Sequence, residues 1–284
     1  MADGPWSPRF VREATGPGCI DNARWEGLFR SCQGGPALVC CVVMGVARNT
    51  IKKNLDVIRE EIAAACDRVG REASEVSIVA VTKTADLETI RNLVAVGLTD
   101  LGENRVSQLV SRVSELGETF SRGRPGQGAG PKWHMIGHLQ RNKVKAVLGV
   151  ADVIHSVDSL RLAEEIDIAA EEMNLVVQIL LQVNCSLEAQ KSGVAVAAAM
   201  HLAELICTLK NLRLMGLMTM APLDGEAERA RPTFTRLREV FEEIRHDKIG
   251  GEEFRHLSMG MSQDYSVAVE EGATILRIGR ALLE

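Results

Sequence analysis

The stretch S-I-V-A-V-T-K-T, Ser77–Thr84, delivers a run of five apolar or β-branched residues followed by one lysine, Lys83. β-Branched residues suit a pleated, buried surface, and an apolar run of this length between polar residues suits a strand of a parallel sheet. Alternation places Val79, Val81 and Lys83 on one face and Ile78, Ala80 and Thr82 on the other. With the apolar face turned into a core, Lys83 is the last residue on it, at the carboxyl end of the strand. An ammonium held there is poorly solvated, which favours the neutral amine and its attack on a carbonyl. Taken alone, the stretch reads more simply as a lysine snorkelling off a strand end.

On the amino side, Ile51, Leu55, Ile58, Ile62 and Cys66 recur at helical steps, with Asn49 or Thr50 as cap and Gly70 as stop. On the carboxyl side the alternation of strand and helix continues. Asp86 caps a helix to Val96, and Asp100–Asn104 is a second strand. A helix from Arg105 to about Leu116 precedes a Gly-rich loop, Gly117–Pro131, that contains Arg122 and Arg124. Further strands are expected at Trp133–Gly137, Val153–Val157, Val176–Asn184, Leu212–Met220, Phe254–Met259 and Thr274–Gly279. The helices between them are expected at Gln140–Leu148, Ser159–Met173, Val194–Leu209, Glu226–Arg245 and Tyr265–Glu271. Eight strands alternating with helices, and no shift of composition, make an α/β protein with a single (β/α)8 TIM barrel. A doubly wound sheet is the alternative, but neither G-x-G-x-x-G nor G-x-x-x-x-G-K occurs.

The 284 residues, 46% hydrophobic and 25% charged, suit one large globular domain or two ordinary ones, and a net charge of -5 argues against a nucleic-acid footprint or a polybasic membrane patch. Apolar runs stay short of the roughly 18 to 20 residues that span a bilayer. Seven cysteines without C-x-x-C spacing read as reduced thiols of a cytoplasmic protein, with Cys185 and Cys207 in apolar contexts. Residues 1–43 hold four of those cysteines and two of the three tryptophans without periodicity. They are expected to be a disordered extension or an overextended translation start, Met44 being an internal start and residues 44–284 the barrel.

Barrel sites lie at the carboxyl ends of the strands, often with a phosphate on the loops after strands seven and eight. Here those loops read Ser258-Met259-Gly260-Met261-Ser262 and Gly279-Arg280. Glycines that allow close backbone approach, small hydroxyls and amides at a helix start suit a dianion, and Arg277 adds a cation. Each loop is equally readable as turn punctuation. Glu103 and Asn104 close strand two, Asn184 closes strand five, and Met218 and Met220 sit near the end of strand six. His134 and His138 lack a carboxylate or cysteine at ligand spacing, so no metal is expected and His134 is read as packing or hydrogen-bonding at the rim. A lysine on strand one facing a phosphate cradle suits pyridoxal 5'-phosphate (PLP), whose aldehyde forms a Schiff base with lysine. A Schiff-base aldolase for sugar phosphates uses similar parts, with its lysine usually on a later strand.

These residues resemble the pyridoxal phosphate homeostasis proteins, single-domain relatives of the alanine racemase N-terminal barrel. The motifs that carry the resemblance are A-V-T-K-T (80–84), G-E-N (102–104), W-H-M-I-G-H-L-Q-R-N-K (133–143), Q-V-N-C-S-L-E-A-Q-K-S-G (182–193), G-L-M-T-M (216–220), S-M-G-M-S-Q-D (258–264) and R-I-G (277–279). The resemblance covers about Met44 to the end. It implies that Lys83 carries PLP as an internal aldimine and that Ser258, Gly279 and the backbone at Arg280 hold the phosphate, in the loop that includes Met259 and Gly260. Arg277 is then close to the ring or the phosphate, and Asn104 and Met218 line the pocket. Such proteins are thought to buffer or deliver the cofactor in vitamin B6 balance, with PLP-dependent apo-enzymes as recipients and no established turnover.

In two places the chain departs from the family pattern. Arg280 replaces the usual small hydroxyl residue after R-I-G, and A-L-L-E (281–284) is shorter than the usual ending, which leaves a short last helix. A racemase or lyase working through the same aldimine is the alternative function. It needs acid/base groups on both faces of the cofactor, and the related racemases take the second from a further domain whose counterpart is not expected here. Tyr265 is the only tyrosine and is read as packing its own short helix. Arg277 at the pyridine nitrogen would weaken the electron sink. A monomer that binds PLP is therefore expected, with Lys143 or Lys191 open as a second, weaker site.

Overall fold

The computed structural model describes residues 45–121, 130–186, 188, 192–222 and 226–284. The expectations for residues 1–43, Arg122, Arg124 and Lys191 fall outside that range.

Eight strands form the barrel: β1 (Ser77–Val81), β2 (Asp100–Glu103), β3 (Lys132–Met135), β4 (Val153–Val157), β5 (Val177–Asn184), β6 (Leu212–Met218), β7 (His256–Ser258) and β8 (Ile275–Ile278). They pair in parallel in the order β4-β3-β2-β1-β8-β7-β6-β5, and β4 pairs with β5, so the sheet closes on itself. Around it lie α1 (Arg48–Val69), α2 (Leu87–Ala95), α3 (Val106–Ser121), α4 (Val144–Leu148), α5 (Leu160–Glu172), α6 (Ala199–Cys207), α7 (Arg231–His246), α8 (Tyr265–Glu270) and α9 (Arg280–Leu283). Local chemistry explains the helix ends. Asp86 accepts from the Thr89 amide at 2.7 Å, Ser159 accepts from Leu162 at 3.4 Å, and Gly70 closes α1 at φ 69°.

Strand alternation divides the core in two. One set of faces meets the helices, burying residues such as Leu101, Ile154, Ile179, Leu217 and Leu276 against Ile58, Ile90, Ile166 and Phe234. The opposite faces point into the lumen, where Val79, Leu180, Met215, Met218 and Ile275 form a small apolar cluster. Several buried polar side chains share that lumen.

The ladders are shorter than the apolar runs, because pairing stops where neighbouring strands peel away into loops. β1 ends at Val81, so Lys83 lies in the following turn and is exposed, which corrects the expectation of a desolvated ammonium on the strand. Asn104 lies beyond β2 and is also exposed. α1 starts at Arg48 after Ala47, whose side chain makes no cap bond, rather than at Asn49 or Thr50; Val46 instead donates its amide to Thr89 Oγ1 at 2.9 Å. α3 runs on to Ser121, through the start of the stretch read as a loop. Val194–Ala195, read as helix, pairs as a two-residue strand with the end of β5. Cys66 and Cys185 are buried free thiols, whereas Cys207 is exposed. No helix among the described residues is long and apolar enough to cross a membrane.

Gly216 shows how tightly β6 and β7 approach. Its φ is +152°, and an added Cβ would lie 1.9 Å from the His256 carbonyl oxygen. Gly216→Ala is expected to destabilise the barrel by about 3 kcal/mol. Gly149→Ala, with open space around the new Cβ, should change stability by less than about 0.5 kcal/mol. Urea unfolding of the two variants checks this, and equal midpoints would contradict it.

Candidate functional site

Lys83 occupies a corner of a clamped turn. The Ala85 amide donates to the Thr82 carbonyl at 2.8 Å, leaving Lys83 and Thr84 at the two central positions. Arg112 of α3 donates to the Thr82 and Ala85 carbonyls at 2.6 and 2.7 Å and forms an ion pair with Glu103. The Thr82 hydroxyl donates to the same carboxylate. Glu103 is fully buried, and its Oε2 has no hydrogen-bond partner among the described residues. The turn is thus fixed at both ends while the lysine side chain reaches solvent. Sequence reading missed Arg112, because an arginine on an outer helix looks like any solvated charge.

The end of β8 lies directly beside this turn. β1 and β8 pair from Ser77↔Ile275 to Ala80↔Ile278. A Cβ on Gly279 would lie 3.3 Å from Val81 Cβ and 3.4 Å from the Val81 carbonyl oxygen, two residues before Lys83. The first amides of a helix lack intrahelical acceptors, and at α9 two of them, Gly279 and Ala281, donate to Ser262 Oγ at 3.3 and 3.2 Å. Gly260 turns the preceding loop at φ +91°, where an added Cβ would lie 2.6 Å from Ala268 Cβ. Asp264 holds that loop by accepting from the Met261 amide at 2.6 Å, and burial raises its carboxyl above the usual range. Arg280 is exposed at this corner.

The remaining expected residues lie deeper. Arg277 is 4% exposed and donates to Ser258 Oγ at 2.6 Å and to the Thr219 carbonyl at 2.8 Å. Burial pulls its guanidinium down to about 10, with Asp264 opposing the shift, so it stays a cation at neutral pH. Ser258 is fully buried and also meets His155 Nδ1 at 2.9 Å, so its hydroxyl belongs to the interior. Met218 lines the lumen. Met259 packs its side chain in the outer core and donates its amide to the Ile275 carbonyl at 3.2 Å. His134 lies inside the barrel rather than at its rim, against His155 and Asp100, while the exposed His138 faces Asp158 at 3.3 Å. Lys143 is exposed before α4. Tyr265 is buried with its hydroxyl bonded to Glu61 of α1, and burial with that carboxylate raises its phenol.

A single closed parallel barrel, with a lysine just past its first strand and helix-start amides just past its last, defines the class of protein as a (β/α)8 barrel. The family model described as "Alanine racemase, N-terminal domain" matches residues 53–283. The chain is 38% identical over 230 residues to the pyridoxal phosphate homeostasis protein of Aquifex aeolicus, covering 81% of this chain and 96% of that protein. It superposes on the crystal structure of an unknown protein from Bifidobacterium adolescentis with a TM-score of 0.77 at 36% identity, covering 83% of this chain and 95% of that one. PipY of Synechococcus elongatus PCC7942, solved with PLP bound, gives a TM-score of 0.69 at 31% identity, covering 82% and 100%. The chain belongs to the pyridoxal phosphate homeostasis protein family, within the alanine racemase N-terminal barrels.

The buried histidine has a measurable consequence. Burial, reinforced by His134, Arg277 and His256, holds His155 neutral to well below the ordinary histidine range. Unfolded, it protonates near pH ~6.5. Its folded pKa is the lower one, so its contribution to stability is complete above that pH and falls as pH drops, by up to about 1.4 kcal/mol per unit. The melting temperature is expected to fall between pH 7.5 and pH 5.5, and less steeply for His155→Gln. Parallel profiles would contradict the assignment.

Proposed function

We propose that this protein binds PLP covalently through Lys83 and serves vitamin B6 homeostasis by holding or delivering the cofactor, without significant turnover. The observation that supports it most is the packing of Gly279 against Val81, which brings the first amides of α9 and Ser262 beside the lysine turn. The names of the relatives and the PLP-bound PipY structure support the same ligand. When bound, PLP supplies an aldehyde carbon for an amine to join and a conjugated ring that withdraws electrons.

In this reading the amides of Gly279, Arg280 and Ala281 and the hydroxyl of Ser262 hold the phosphate. Ser262 replaces Ser258 in that role because the Ser258 hydroxyl is committed to Arg277 and His155. Gly260 shapes the loop and Met259 anchors it to the core. Arg280 adds a cation at the rim, and Asn104 and Met218 border the ring. Arg277 faces the ring nitrogen as a permanent cation, which disfavours a proton there. Tyr265, turned to Glu61 in the outer layer, is not the acid/base group that a racemase needs on the second face. Residues 44–284 form the working unit, a monomer in the cytoplasm, with PLP-dependent apo-enzymes as recipients.

Purified protein mixed with PLP is expected to absorb in the visible and, after borohydride reduction, to yield one dominant peptide adduct at Lys83, lost in Lys83→Ala. A colourless protein without that adduct would overturn the site. Ser262→Ala should weaken PLP binding about tenfold, as loss of a hydrogen bond to a charged group does. Racemisation or elimination of amino acids at a steady rate, abolished by Lys83→Ala, would replace the binding role with the enzyme reading.

A further inference from the structure

A line of polar side chains crosses the lumen from the cradle side to the opposite end of the barrel. Arg277 Nη1 meets Ser258 Oγ at 2.6 Å, Ser258 Oγ meets His155 Nδ1 at 2.9 Å, His155 Nε2 meets His134 Nδ1 at 2.9 Å, and His134 Nε2 meets Asp100 Oδ1 at 3.0 Å. The line passes from β8 to β7, over to β4, and on to β3 and β2. Arg277, Ser258, His155 and His134 are all buried. Asp100, the first residue of β2, has a side chain 31% exposed and lines a cleft of about 470 Å³ with Arg59, Ser74, Ser77 and Thr99.

The direction of every bond follows from the ends. A guanidinium only donates, so Ser258 Oγ receives the Arg277 N–H and keeps its own proton to donate. With both rings neutral, the partner in line is His155 Nδ1, which accepts that proton and carries the His155 proton on Nε2. That N–H donates to His134 Nδ1, which leaves the His134 proton on Nε2, donated to Asp100. A carboxylate only accepts, so the two ends agree on one sense. Protonating His134 would turn its Nδ1 into a donor facing the His155 donor, and the middle of the line would have to reverse. The charged or titratable neighbours of the line are Lys132 near Asp100, His256 near both histidines, and Asp264 near Arg277.

We propose that Asp100, His134 and His155 are positioning residues for Arg277, acting as a one-way hydrogen-bond line. The line fixes which guanidinium N–H groups remain for a ligand, and it connects the buried cation to a carboxylate at the far, open end of the barrel. A buried guanidinium is costly unless its donors and charge are met, and this line meets one donor directly and reaches a countercharge through two neutral rings. The ligand part of the proposal rests on the PLP reading above.

The test begins with the ligand-free full-length protein. Long-range proton–nitrogen NMR at neutral pH should find both His134 and His155 with the proton on Nε2, and a slowly exchanging Arg277 guanidinium that exchanges faster in Asp100→Asn. A Nδ1–H tautomer in either ring, or Arg277 signals unmoved by Asp100→Asn, would overturn the line. In PLP-loaded protein, His155→Phe, which can neither accept nor donate, should shift the pH profile of the visible band and weaken binding about tenfold. His155→Gln, which accepts at one end of its amide and donates at the other, should recover binding to within about threefold. A folded His155→Phe variant with an unchanged band and affinity would also overturn the proposal. Unmodified protein that takes up no PLP would sink the PLP reading instead, and the tautomers and Arg277 signals would still decide the line.

Discussion

The ladder between β1 and β8 is the constraint on which the site depends. It joins Ser77 to Ile275 and Ala80 to Ile278, the first strand of the barrel to the last. Residues about 200 positions apart in sequence become neighbours, and loop-closure entropy must be overcome before that pairing contributes anything. The first amides of α9 have no address of their own. Gly279 touches Val81 because the strands below them are in register, and a residue with a side chain at Gly279 would press on that contact.

Rigidity around Lys83 comes from a buried charge pair. Arg112 and Glu103 are both withdrawn from water, and a pair of this kind contributes little net stability once desolvation is counted. Its visible consequence is geometric. Two carbonyls of the lysine turn, from Thr82 and Ala85, are tied to one planar guanidinium, so the backbone is held while the four-carbon stem stays free to swing. The unpartnered Oε2 of Glu103 is the cost of that arrangement.

The architecture was legible because barrel strands and outer helices carry different periods. The expected strand Val153–Val157 matches β4 to the residue, and Asp86 caps its helix as its side chain suggests, with Ser159 capping α5 as well. What was not legible depends on closure. In W-H-M-I-G and V-I-H-S-V each histidine is visible, but nothing local says that His134 and His155 face one another across a lumen and end on Arg277 and Asp100. The two serines of S-M-G-M-S have the same chemistry, yet the positive φ at Gly260 separates them. Ser258 stays on the ladder and turns inward, while Ser262 leaves with the loop and meets the α9 amides. Lys83, expected on the strand itself, lies beyond it for a related reason: the apolar run continues past Val81, the last residue of β1.

α9 is only one turn long, yet Leu282 is fully buried and its carbonyl accepts from Asn54 of α1 at 3.1 Å. The helix that follows β8 therefore docks on the first helix of the barrel, and its first amides lie beside the lysine turn. During synthesis, a nascent chain exposes its lysine turn long before those amides exist. The lysine corner is thus completed only when residues about 200 positions further along the chain have been made and paired with β1.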